Sequence, residues 1–215
     1  RNHYALKPDL AELEISDSLP PVVELCEMLA DNPNLRVFHL TLSGGLMNEF
    51  DPPLIRRVLL PMIEELVLSS VRSKTWALQL LSDLDAPNLK DLWVDVWGLT
   101  AGGLPNLELN SAFPSLQHLA TNLRHELLGA LLFAHPTLGK LTLLKGYDSE
   151  SIVALGREPW LLPRLGHLMV SHFTRDALAL SRMVKARQAG GVSAPNSHMF
   201  TYADTMPPIR AYLKI

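Results

Sequence analysis

One phrase, proline–x–apolar–x–x–apolar–x–apolar, recurs seven times along the 215 residues of the chain. The copies start at Pro8 (Leu10, Leu13, Ile15), Pro33 (Leu35, Phe38, Leu40), Pro61 (Ile63, Leu66, Leu68) and Pro87 (Leu89, Leu92, Val94). Three more start at Pro114 (Leu116, Leu119, with Thr121 in the last slot), Pro136 (Leu138, Leu141, Leu143) and Pro163 (Leu165, Leu168, Val170). Successive starts lie 25, 28, 26, 27, 22 and 27 residues apart. A unit this short cannot bury its own apolar side, so a repeat of this period must stack on its neighbours to make a core.

The internal spacing says what each copy is. Apolar residues two apart, such as Leu66 and Leu68, point to one side of an extended strand, and the residues between them point to the other. Proline at the start of a copy fixes φ and cannot donate a hydrogen bond, which suits it to the entry to the strand, where the ladder has not begun. Between the strands, helical periodicity and turn-like flanks predict helices over Val22–Ala30, Lys74–Leu84, Leu123–Ala134, Ser151–Leu155 and Arg175–Arg187. Strand, helix, strand at this period predicts an α/β solenoid with a curved parallel sheet on its concave face and helices and irregular segments on its convex face. Gly98–Ala112, rich in glycine, proline and asparagine, is expected to be an irregular loop. Gly190 and Gly191 are expected to close the last helix. Residues 1–187 then form the repeat body, and 188–215, with a degraded eighth copy at Pro195, Ser197, Phe200 and Tyr202, form a cap over the last apolar edge.

The phrase Leu-x-x-Leu-x-Leu resembles the strand segment of leucine-rich repeats over residues 8 to about 173. Irregular copies led by HPTLGKLTL, FPSLQHLAT and LPRLGHLMV, finished by DALALSRMVKARQAGG, look like the recognition part of fungal F-box proteins. The resemblance implies a protein-binding solenoid that holds the substrate of a ubiquitin ligase. The ligase scaffold would be engaged through a separate F-box that these residues do not contain. Regular leucine-rich repeats carry a buried asparagine three residues after the last strand leucine. Here those positions are Ser18, Ser43, Val71, Trp97, Arg124, Gly146 and Phe173, so other groups must satisfy the backbone there.

Composition narrows the partner class. With 19 basic against 22 acidic residues the formal charge is −3, which gives no field favouring nucleic acid or an anionic membrane. The longest apolar run, Leu127–Ala134, falls well short of the roughly 18 residues a membrane span needs. Cys26 is the only cysteine, which excludes an internal disulfide, and there is no Asn-x-Ser/Thr sequon, so an intracellular protein is expected. Because the chain opens at Arg1 and not at a methionine, and is already inside a repeat, a longer parent protein is also expected.

Stacked strands turn the outward residues into rows. Ahead of the last apolar pair the row reads Glu12, Val37, Glu65, Asp91, His118, Lys140 and His167; between the pair, Glu14, His39, Val67, Trp93, Ala120, Thr142 and Met169; after it, Ser16, Thr41, Ser69, Asp95, Asn122, Leu144 and Ser171. The candidate partner-binding residues are therefore Glu12, Glu14, His39, Glu65, Asp91, Trp93, Asp95, His118, Lys140 and Met169. A partner would bring basic groups to Glu65, Asp91 and Asp95 and an apolar group to Trp93, since an aromatic flanked by charge is a common energetic centre of an interface. The plain alternative is that outward strand residues are polar in any half-exposed sheet and need no partner. Trp76, Trp97 and Trp160 are expected in the core, and His125 and His135 at the surface or capping a helix.

No catalytic constellation is expected. His118 and His167 share a row but stand two strands apart, roughly 10 Å, too far for one zinc ion. Neither His-Glu-x-x-His nor Gly-x-Ser-x-Gly occurs, and the glycine pairs at 44–45 and 102–103 lack a phosphate-loop lysine. Glu64 and Glu65 are adjacent and face opposite ways on a strand. No cofactor or metal is expected. A binding module that serves a ubiquitin ligase competes with a regulator or inhibitor of an enzyme or small GTPase, and with a decayed paralogue.

Overall fold

The computed structural model describes residues 10–16, 21–41, 57–97, 113–147, 149–171 and 173–191. Within them the elements run β1 (Glu12–Ser16), α1 (Val22–Ala30), β2 (Val37–Thr41), β3 (Val58–Leu59), β4 (Glu65–Val71), α2 (Lys74–Asp83) and β5 (Leu84–Asp85). They continue with β6 (Asp91–Val96), β7 (His118–Thr121), α3 (His125–Ala134), β8 (Lys140–Leu143), α4 (Glu150–Arg157), β9 (His167–Val170) and α5 (Phe173–Ala189), with a 3-10 turn at Pro159–Leu161 before β9. The class is α/β. The expected loop at Gly98–Ala112, Pro8, Ser18, Ser43 and residues 192–215 lie outside the described residues.

The repeated phrase becomes a repeated local structure. In six copies the strand begins four residues after its proline: Pro33 and Val37, Pro61 and Glu65, Pro87 and Asp91, Pro114 and His118, Pro136 and Lys140, Pro163 and His167. The proline itself sits in a turn and not at the head of the ladder. The carbonyls of Asn32, Ala86, Phe113, His135 and Leu162 each accept the N–H three residues on, at 3.1 Å, and that of Leu60 does so at 3.4 Å. Proline therefore occupies the second position of the turn, where its fixed φ is pre-set. The residue before each proline is buried: Asn32, Leu60, Ala86, Phe113, His135 and Leu162 are all 5% exposed or less. The phrase thus has one more core position than its apolar letters suggest.

Seven strands form one parallel sheet in the order β1-β2-β4-β6-β7-β8-β9, which is chain order once the short pair β3-β5 is set aside. Register follows the phrase. Phe38, Leu66, Leu92, Leu119, Leu141 and Leu168 are successive partners, as are Leu40, Leu68, Val94, Thr121, Leu143 and Val170. At the strand entries each carbonyl takes two N–H groups from the next rung: Ala11 those of Arg36 and Val37, Arg36 those of Glu64 and Glu65, Glu64 those of Lys90 and Asp91. Lys90, Gln117 and Gly139 repeat the arrangement. The register is pinned at one edge by the same bond pair in every interval, so a slip would break all of them together.

The strand leucines and the inward residues of the helices, among them Val22, Leu25 and Leu29 of α1 and Leu128 and Leu131 of α3, belong to one apolar core. The observed helices match the expected positions with shifted ends. Helix α1 spans the expected residues, α2 stops at Asp83 because Leu84 enters β5, and α3 starts at His125 because Asn122 and Leu123 still serve the strand exit. Helix α4 is longer than expected, and α5 runs through Ala189, beyond the expected boundary at 187. As expected, the glycines close α5: Gly190 N–H donates to Ala186 at 3.0 Å, and Gly191 takes φ +69°, which glycine adopts without strain. Arg187 is fully buried and donates to the carbonyl of Leu162 in the last turn, while burial lowers its pKa. Among the described residues no helix is long and apolar enough to cross a membrane.

Candidate protein-binding face

The alternation that sends the leucines into the core sends the intervening residues to the opposite face. Glu12, Val37, Glu65, Asp91, His118, Lys140 and His167 are consecutive register partners. So are Glu14, His39, Val67, Trp93, Ala120, Thr142 and Met169. Nine of the ten candidate residues stand in these two unbroken rows, the exception being Asp95. Glu12, Glu14 and Asp91 are exposed, and His39, Glu65, Trp93, His118, Lys140 and Met169 are half-buried.

The charges on and beside this face are paired with one another. His39 Nε2 lies 3.0 Å from Glu65 Oε1 on the next strand. His118 spans two intervals, with Nδ1 3.1 Å from Asp91 Oδ1 and Nε2 3.1 Å from Thr142 Oγ1. At the strand entries Glu64 accepts from Arg36 on one side and from Lys90 Nζ at 2.8 Å on the other. Hydrogen bonds from Lys90 and Arg36 hold the Glu64 carboxyl down at about 2. Glu65 and Asp91 are each turned toward a histidine through one carboxylate oxygen. Sequence reading found the rows and missed these cross-strand pairs, although Arg36, Glu64 and Lys90 occupy the same slot of successive copies.

The third row breaks. The β4–β6 register shifts between Leu68 and Val71, and Ser70 takes φ 58° there, so one extra residue bulges from β4. Asp95 is not on the open face but 8% exposed, and Ser69, Asn122, Leu144 and Ser171 in the same row are buried as well. Its Oδ1 accepts Asn122 Nδ2 at 2.8 Å, its Oδ2 accepts Trp97 Nε1 at 3.1 Å, and the Ser70 N–H also bonds to its carboxylate. Burial raises its pKa and the bonds from Trp97 and Ser70 oppose the rise. The expected contact of a partner with Asp95 is replaced by an internal network. Asn122 extends it, accepting Val96 N–H at 3.0 Å and donating to Val96 carbonyl at 2.9 Å. This side chain supplies the buried amide that the phrase lacks at the usual position, two residues earlier than the slot held by Arg124. Thr121 fits its apolar slot because its Oγ1 accepts the Leu123 N–H at 3.1 Å.

The aromatic residues redistribute. Trp76 is buried, as expected, but Trp97 is 45% and Trp160 64% exposed. Trp160 lies in the 3-10 turn and Trp97 just past β6, outside the leucine slots that define the core. Trp93 is half-buried, with its Nε1 buried and without a hydrogen-bond partner, so it is less open than its row position suggests. His135 is not at the surface: it caps α3 in the pre-proline core slot at 4% exposure, stacks on Phe113 at 6.1 Å, and burial lowers its pKa. Cys26 is buried in α1, which with the nearby Asp83 charge pushes its thiol up to about 12, leaving it protonated at neutral pH. Among the described residues no group of three or more His, Cys, Asp or Glu could hold a metal ion. The chain matches no protein-family profile and no curated protein sequence.

Proposed function

We propose that the chain is a non-enzymatic protein-binding module, a leucine-rich-repeat-type solenoid whose outward strand rows form the docking face. The observation that carries this reading is the pair of unbroken seven-residue rows on one parallel sheet. The second row is buried at Ala120 and Thr142, so the accessible part lies on the first row and on the remaining members of the second, where pre-paired carboxylates lose little side-chain freedom on contact. The rows run from acidic at Glu12 and Glu14 to basic and apolar at Lys140, His167 and Met169, which fixes the orientation of a partner of complementary gradient. Resemblance to the recognition part of fungal F-box proteins favours one setting among binding modules, the capture of a ubiquitin-ligase substrate.

Proximity labelling with the chain in its native cells tests the reading. A neighbour lost with Glu65→Lys/Asp91→Lys and with Met169→Glu, yet kept with the helix substitution Phe133→Ser, supports the strand face. A neighbour lost with Phe133→Ser alone overturns it. Recovery of ligase scaffold subunits by the full-length gene product decides the F-box setting.

A further inference from the structure

We infer that the carboxyl-terminal edge of the sheet is a second docking site, which takes an acidic peptide segment of a partner protein and is separate from the strand face. Here Arg72, Trp97, Arg124 and Lys145 leave β4, β6, β7 and β8 in turn. Trp97 N–H donates to the Val71 carbonyl at 2.7 Å, so β4–β6 pairing persists to the residue beside Arg72. The Asn122 amide grips Val96 from the other side, and Leu144 N–H donates to the Thr121 carbonyl at 2.9 Å, which sets Lys145 on the next strand, one residue before the slot level with Trp97 and Arg124. At about 4.8 Å per rung the row is roughly 15 Å long, the reach of an extended segment of about five residues.

Two independent features mark this edge. The first is charge. Arg36, Lys90 and Arg157 are each held by a carboxylate, whereas the exposed side chains of Arg72, Arg124 and Lys145 make no hydrogen bond or ion pair with another described residue. Arg72 and Arg124 also stand where α2 and α3 begin, and α2 has no acidic residue in its first turn. Cations at helix N-termini oppose the helix dipole, so they cost stability that an anionic ligand would return. The second feature is a fixed aromatic. Trp97 is 45% exposed, yet its indole N–H is tied to Asp95, whose other oxygen is tied to Asn122. A large apolar surface held rigid among cations loses little entropy on binding and suits the role of an anchor. Both oxygens of Asp95 are taken by neutral donors, and none of the three cations is paired with it.

Fluorescence anisotropy of the full chain with a short labelled peptide alternating glutamate and leucine tests the site, with a lysine–leucine peptide and a single-stranded oligonucleotide of equal charge as controls. Selective binding of the acidic peptide is expected, weakened by added salt because exposed charges are screened within about 10 Å at 0.1 M. Trp97→Ala should weaken it roughly thirtyfold, the loss typical of an aromatic anchor. Arg72→Glu/Arg124→Glu should abolish it with the far-ultraviolet spectrum unchanged, and Trp97→Phe should keep most of it. Binding unaffected by the arginine pair, equal binding of the two peptides, or tighter binding of the oligonucleotide overturns the inference. The strand-face pair Glu65→Lys/Asp91→Lys should leave this binding intact, so loss of one surface is distinguishable from loss of the other.

Discussion

At the β9 end of the sheet Leu168 and Val170 are 0% and 1% exposed, whereas at the β1 end the residues in the same slots, Leu13 and Ile15, are only partly buried. The two ends carry the same phrase. After β9 in the chain, the 17-residue helix α5 packs on α4 and adds Leu180 and Met183 to the core. The phrase thus chooses which side of a strand a residue faces, but a neighbour on each flank is needed to remove it from water. Stability in such a stack is a sum of contacts between adjacent units, so the covered end should be the harder to open.

The widest separation between the ends is expected from truncating equivalent leucines. Leu168→Ala should cost about 2–5 kcal/mol in urea unfolding, the range for a buried leucine, and Leu13→Ala less than half of that. Equal losses would mean that the ends are energetically alike. A smaller effect should come from forcing α5 outward. A Cβ on Gly156 would lie 3.0 Å from Met183 Cα, so Gly156→Val should cost about 1–3 kcal/mol and raise amide exchange in β9 toward that of β1. Unchanged exchange would show that α5 is not the cover.

Acid should separate the two halves in a defined order. His135, before β8, has its pKa lowered by burial, so it stays neutral in the fold while the unfolded chain takes up a proton near the ordinary value of 6.5. Its contribution is complete above that value and is lost as pH falls through it toward the folded value. The melting temperature should drop as pH falls through the ordinary value of 6.5, and His135→Leu should flatten that drop. Glu64, between β2 and β6, acts later: its folded value is about 2 against an ordinary 4.5, so its contribution is present above 4.5 and fades as pH falls toward 2. This is the smallest effect, because the group is at the surface. Carboxyl chemical shifts of Glu64 should titrate at clearly higher pH in Lys90→Ala, and an unmoved midpoint would dismiss the pairing.

The repeat made most of the sheet legible in advance. Alternation and a constant offset from proline placed seven strands, their order and both complete rows, because strand periodicity is a local property of the backbone. Helix centres were equally readable, but their ends were not, since Leu84 and Leu123 fit either a helix or a strand exit and only packing separates the two. The short pair β3-β5 carried no signal, because two residues have no period.

Periodicity alone assigned Trp93, Asp91 and Lys140 to one face of the sheet. Three-dimensional packing decided which members of that face are free. Asp95 is buried in a network with Trp97 and Asn122, and the histidines at 39 and 118 turned toward carboxylates about two dozen residues away in sequence. A face is set by the backbone repeat of one strand, whereas a hydrogen bond depends on the distance to another strand, which exists only after the rungs have stacked.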